Sequence, residues 1–237
     1  MKHKTLFILP FLCVLIWGEL ALAQDDSLIR ARATLGWSSY ELTLTGRGSN
    51  SPDAKSDYPT VGGGLSYAKD KFYIDTTYAV SLDARHDWEG YEGKFKREDT
   101  TFTVGYLLEN NWSAFAGYKW GKSKFSQDNL PGYSLSFEVF GWYVGGSKVI
   151  PMQQKGSLVL SVAVASMKGE IYDTDTLDDT GEAVGTSYSI GYSLPLQKKS
   201  GLQFRSYYQK YKYSKFATVV DIEEDIFGLD ASFYLNF

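Results

Sequence analysis

Cysteine is all but absent: the chain has one in 237 residues, Cys13, inside its first apolar stretch. Without that stretch neither disulfide nor thiol chemistry is left, and stability must come from the fold itself. Long hydrophobic runs are missing too. The longest, Leu6 to Trp17, falls short of the roughly 20 residues a membrane-spanning helix needs. Histidine is limited to His3 and His86. Positive charge is not in excess: 24 Lys and Arg stand against 28 Asp and Glu, a net charge of −4, so nothing electrostatic favours nucleic acid.

The N-terminus reads as an export signal. Lys2 and Lys4 precede the apolar run, and Ala21-Leu22-Ala23 sets small residues where a signal peptidase needs them. Cleavage before Gln24 makes residues 1–23 a signal peptide and residues 24–237 the mature chain. Aromatic residues are 16% of the sequence, and Tyr alone contributes 18. Tyr and Trp favour the boundary between an apolar medium and water, which suits the girdles of a membrane barrel.

The last eleven residues alternate without a fault. Phe227, Leu229, Ala231, Phe233, Leu235 and Phe237 are apolar; Gly228, Asp230, Ser232, Tyr234 and Asn236 are small, polar or amphipathic. A period of two over about ten residues is the pattern of a transmembrane β-strand. Ten such segments are expected, near 29–45, 58–68, 71–83, 98–108, 112–122, 134–149, 157–168, 183–194, 201–213 and 226–237. Four tight turns join them, at Lys69-Asp70-Lys71, Glu109-Asn110-Asn111, Pro151 to Gly156 and Pro195 to Ser200. These turns alternate with five long polar stretches, 46–57, 84–97, 123–133, 169–182 and 214–225, which read as loops. Short turns at one end and long loops at the other predict an all-β, antiparallel, up-and-down transmembrane barrel of ten strands with both termini periplasmic.

Outward faces can be assigned by parity: Phe72, Ile74, Tyr78, Val80 and Leu82; Phe102, Val104, Tyr106 and Leu108; Leu158, Leu160, Val162 and Val164; Val184, Tyr188, Ile190, Tyr192 and Leu194. Lys210 shares a parity with outward Leu202 and Phe204 and is expected near the outer rim. In the first segment Ile29 to Trp37 keep one phase, while Tyr40, Leu42 and Leu44 keep the other. A bulge near Ser38, or a strand that has already left the bilayer, explains the change.

The opposite parity gives an inner charge network of Arg30, Arg32, Asp75, Lys119, Glu138, Arg205 and Asp230. Both signs of charge in a narrow barrel imply a salt-bridged, closed interior. Many small inward residues, Gly62, Gly64, Gly105, Ser161, Ala163, Gly185 and Gly191 among them, leave a narrow pore as the other reading.

His86, beside Asp83 and Asp87, is the candidate acid–base residue, with Asp173 and Asp175 as carboxylates across the mouth. Asp173, Asp175, Asp178 and Asp179 form an acidic run that could offer oxygens to Ca²⁺, although the spacing is not that of an EF-hand. A solvated loop explains both features more simply, so neither catalysis nor metal nor cofactor is expected. Trp37, Trp88, Trp112, Trp120 and Tyr133 read as interface anchors.

Taken together, the signal peptide, the alternating hairpins and the closing Leu235-Asn236-Phe237 resemble small bacterial outer-membrane β-barrel proteins. The resemblance implies a non-enzymatic monomer in the outer membrane of a Gram-negative bacterium, with a structural, surface-interaction or narrow porin-like role. It also implies contact with outer-membrane lipid and lipopolysaccharide, and handling by periplasmic chaperones and the barrel-assembly machinery through Phe233, Leu235 and Phe237. In strand number the chain is similar to the omptin proteases, which set an Asp-His couple against an Asp pair across the barrel mouth. A rim-sited hydrolase using His86 and loop carboxylates is therefore the alternative.

Overall fold

The computed structural model describes residues 27–45, 54–82, 84–88, 91–153, 156–217 and 221–237. The expected signal peptide and Asp83 lie outside them. Eleven strands form one sheet: β1 (Leu28–Thr45), β2 (Ala54–Lys69), β3 (Phe72–Ser81), β4 (Ala84–Trp88), β5 (Tyr91–Leu107), β6 (Trp112–Gln127), β7 (Ser134–Pro151), β8 (Ser157–Asp173), β9 (Thr176–Gln197), β10 (Ser200–Ser214) and β11 (Asp221–Asn236). Apart from β3 and β4, which do not pair with each other, each strand pairs antiparallel with its sequence neighbours, and β1 pairs with both β2 and β11, so the sheet closes on itself.

β3 and β4 are one stave of the barrel, since both lie between β2 and β5. Opposite β5, Val80 faces Glu98 and Ala84 faces Phe95, so one extra residue is accommodated between Val80 and Ala84. This bulge reverses which parity points inward. The barrel therefore has ten staves, as the alternation predicts. The cross-strand row through Glu98 meets β9 at Thr180 in one direction and at Tyr192 in the other, a stagger of twelve residues. Ten strands with that stagger tilt about 40° from the barrel axis.

One end, the near end, carries the four tight turns, the start of β1 and the end of β11, where the Phe237 amide donates to the Ile29 carbonyl at 2.8 Å. Outward apolar side chains on β11 run from Phe227 to Phe237. At that tilt they span roughly 25 Å along the axis, the height of the apolar band of a membrane barrel. Every outward set assigned from the sequence faces out.

Above the belt the strands continue for roughly another 20 Å, with the pattern inverted. On β11 the inward residues become Ile222, Glu224 and Ile226, while Glu223 and Asp225 face out. On β5, Phe95 and Arg97 turn in, and Lys94 and Lys96 turn out. The stretches expected as loops at 84–97 and 169–182 are therefore mostly strand, and β6 runs on through 123–127 of the stretch expected as a loop at 123–133. The acidic 169–182 segment is a hairpin closed by Thr174 and Asp175, both with positive φ (47° and 65°), as a two-residue hairpin turn requires. β1 has no bulge at Ser38: its pairing with β2 and with β11 is unbroken, and Tyr40 and Leu42 sit inside the barrel above the belt.

Candidate functional site

Charged and aromatic side chains converge in the barrel interior, which is built in three layers. At the near end Ala68, Tyr73 and Val159 form an apolar layer with Leu28, Leu107, Phe115 and Val149 packed on it. The guanidinium of Arg30 stacks 4.3 Å over the Tyr234 ring, and its Nε donates to Asn236 Oδ1 at 2.7 Å.

The middle layer holds a cavity of about 260 Å³. Its charged groups are held mostly by partners on the same or nearby strands, and Lys119 also reaches across to Gln209. Arg32 donates to Gln203 (3.2 Å), Ser66 donates to Asp75 (3.1 Å), and Arg205 Nε donates to Asp230 (3.0 Å). Lys119 bonds Asp99 (2.9 Å) and Gln209 (2.8 Å), and Asp99 also accepts from Arg97 at 2.7 Å. Six of the seven residues assigned to the inner network line this layer or the near-end layer.

Glu138 does not. On β7 the inward residues are Phe137, Val139 and Tyr143, so Glu138 shares its parity with outward Trp142 and Val144. Above the belt, it binds Lys122 at 2.5 Å and accepts from Trp120 Nε1 at 3.3 Å. Lys210, expected near the rim, bridges Glu223 (2.5 Å) and Asp225 (3.3 Å) on the same outer surface.

The far-end layer was not foreseen. Sixteen buried residues, among them Tyr40, Leu42, Tyr58, Phe95, Phe125, Phe137, Ile171, Tyr213 and Ile222, form one apolar cluster, and all ten staves contribute to it. Tyr40, Tyr58, Phe95 and Phe125 pack ring against ring at 5.0–5.8 Å. Beneath them Glu224, 1% exposed, accepts from Tyr40 and Tyr213 at 2.5 Å each and from Ser123 at 3.3 Å, with Arg97 3.8 Å away. Arg97 and Glu224 fell in segments read as loops. Alternation with reversed polarity, Phe95 and Arg97 against Lys94 and Lys96, is the signal that locates them.

The proposed acid–base set does not assemble among the described residues, which leave out Asp83. His86 lies inside the wall, its Nε2 3.1 Å from the Ser126 carbonyl and its ring edge-on to Phe125. Among the described residues it hydrogen-bonds no carboxylate. Asp175 is held at the hairpin tip by Lys124 at 2.7 Å, which keeps its carboxyl below the usual range. Asp179 is buried and caps the Thr180 amide at 2.8 Å. Among the described residues no three His, Cys, Asp or Glu come together as a metal site. Phe233, Leu235 and Phe237 face outward at the near end of β11, paired with β1.

No protein-family model and no curated protein matches the chain. Among solved structures, the outer membrane protease OmpT from Escherichia coli is similar at 10% identity, covering 90% of this chain and 97% of that one with a TM-score of 0.57. The outer membrane protein OprG from Pseudomonas aeruginosa covers 90% and 96% at 13% identity with a TM-score of 0.44. The attachment invasion locus protein Ail of Yersinia pestis covers 90% and 100% at 9% identity with a TM-score of 0.40. At these identities the likeness concerns the fold, and the chain has the fold of the small bacterial outer-membrane β-barrels.

Proposed function

We propose that the protein is a closed, non-catalytic barrel of the Gram-negative outer membrane that holds a rigid, charged β-structure above the lipid as a surface for interaction. The observation that carries this reading is the far-end cluster: sixteen buried apolar residues drawn from every stave. A solute pore needs a continuous wet lumen, whereas here the cavity lies between two apolar layers. The outer surface above the belt carries paired charges, including Lys122–Glu138, Lys212–Glu223 and Lys55–Glu41, that keep it wetted. On this reading the near end is periplasmic, the leader is removed on export, and the belt contacts lipid and lipopolysaccharide.

Planar-bilayer recording of the purified protein tests it. No steps, or rare small ones, are expected at neutral pH. A large steady conductance would remove the closed-barrel reading and restore the pore.

A further inference from the structure

His86 is placed unlike a solvated loop residue. It sits on β4, the short half of the interrupted stave, which meets β2 at two positions, Ala54 opposite Trp88 and Lys55 opposite Asp87. The side chain is 2% exposed and reaches over β5 to the Ser126 carbonyl on β6. Gly93 makes this crossing possible: a Cβ there would come within 1.8 Å of that carbonyl oxygen and 2.6 Å of Nε2. A carbonyl only accepts, so Nε2 carries the ring proton and Nδ1 is left as a lone pair. Nδ1 is buried and, among the described residues, has no hydrogen-bond partner.

We propose that β4 is an acid-sensitive latch, released when Nδ1 of His86 takes a proton, and that its release uncovers the Tyr58, Phe95 and Phe125 rings of the far-end cluster. In the closed wall a proton on Nδ1 would be a charged donor with no acceptor, beside an aromatic edge. In a released strand the same proton is hydrated. Burial accordingly holds the imidazole below its usual range, opposed in part by the Ser126 carbonyl.

The charged groups around the latch are Arg85 and Asp87 on β4, Lys55 and Asp57 on β2, Glu92 and Lys94 on β5, and Asp128 after β6. Arg85 is tied to Glu92 at 3.2 Å and Asp128 at 2.7 Å. Imidazole is the side-chain type here whose ordinary range lies between about pH 5 and 8, and His86 is the imidazole of the latch. A base whose pKa is lowered in the closed form stabilises that form above the free value of about 6.5. The stabilisation is lost as pH falls below it.

Hydrogen exchange on the whole protein in detergent, at pH 8 and pH 5, tests the latch, with protection factors corrected for intrinsic exchange at each pH. If the closed site refuses the proton throughout, the open population at pH 5 rises roughly thirty-fold. Protection over residues 84–88 is expected to fall toward that limit, while that of β8 and β9 holds. In His86→Gln, which can still donate to Ser126 but cannot become charged, the drop is expected to vanish. Unchanged protection in the wild type, or an equal drop in His86→Gln, overturns the latch. Neither outcome touches the closed-barrel reading, which the conductance trace decides at neutral pH.

Discussion

Tyr73 lies flat across the backbone of Gly105, its partner on the neighbouring strand: a Cβ at position 105 would sit 1.9 Å from the ring carbon that bears the hydroxyl. Five more directly opposed pairs repeat the arrangement inside the barrel: Phe115 on Gly145, Tyr143 on Gly117, Tyr207 on Gly228, Tyr211 on Gly185 and Tyr234 on Gly201. Each ring covers the peptide that its glycine leaves bare, and shields a ladder that would otherwise face the cavity.

Gly105→Ala is therefore expected to push Tyr73 off its rotamer and destabilise the barrel by about 1–3 kcal/mol, the usual cost of overpacking. The shift is read as a lower urea midpoint for unfolding in detergent. Tyr73→Ala in the same chain should recover part of that loss, since the clash is gone. A Gly105→Ala protein as stable as the wild type would show that the ring has other room.

Much of this was legible beforehand and some was not. Parity named inward Gly105 and inward Tyr73 separately, because side-chain direction is a local property with a period of two. Their meeting depends on register, which closure of the whole sheet decides, so volume left by glycines and volume filled by rings could not be netted from sequence. The strand ends were misjudged for a related reason. A strand that leaves lipid keeps its alternation but trades which face is apolar, and Ile222, Glu224 and Ile226 beside Glu223 and Asp225 look like a polar loop when apolar-out is the template. His86 needed one further fact, the extra residue between Val80 and Ala84, to be seen as inward-facing.

Two consecutive acids on β11 should differ widely in weight. Glu224 is 1% exposed and bonds two tyrosines, with Arg97 near; Glu223 faces out and bridges Lys210 and Lys212. Glu224→Ala leaves a buried guanidinium with one fewer counter-charge and is expected to cost about 3–5 kcal/mol. Glu223→Ala removes a water-screened bridge worth less than about 1 kcal/mol. Urea unfolding of the two variants side by side checks the contrast, and equal losses would contradict the assignment of inside and outside above the belt.

The height of the belt is testable on one strand. Val162 and Ser166 both face out of β8, but Val162 lies near mid-belt and Ser166 at its upper edge. An arginine at mid-bilayer costs about 2–4 kcal/mol and one near the interface about 0–1. Val162→Arg should thus lower folding stability in lipid vesicles by several times as much as Ser166→Arg. Similar costs at both positions would put the hydrocarbon boundary elsewhere.

The hairpin between β8 and β9 carries a local misfit that a substitution should relieve. Thr174 is held at φ 47°, a left-handed conformation that a β-branched side chain resists, by a two-residue turn in which its amide donates to the Ser134 carbonyl at 2.7 Å. Asparagine tolerates that conformation far better and is favoured at the first position of such turns. Thr174→Asn keeps the backbone bond, removes the strain of the branched carbon and gives up a short exposed bond from the Thr174 hydroxyl to Asp173. The balance should be a gain of about 0.5–1 kcal/mol, seen as a higher urea midpoint with an unchanged denaturant slope. Asp175 stays in place to hold Lys124, so a loss of stability in Thr174→Asn could not be blamed on that bridge and would mean that the turn is not of this type.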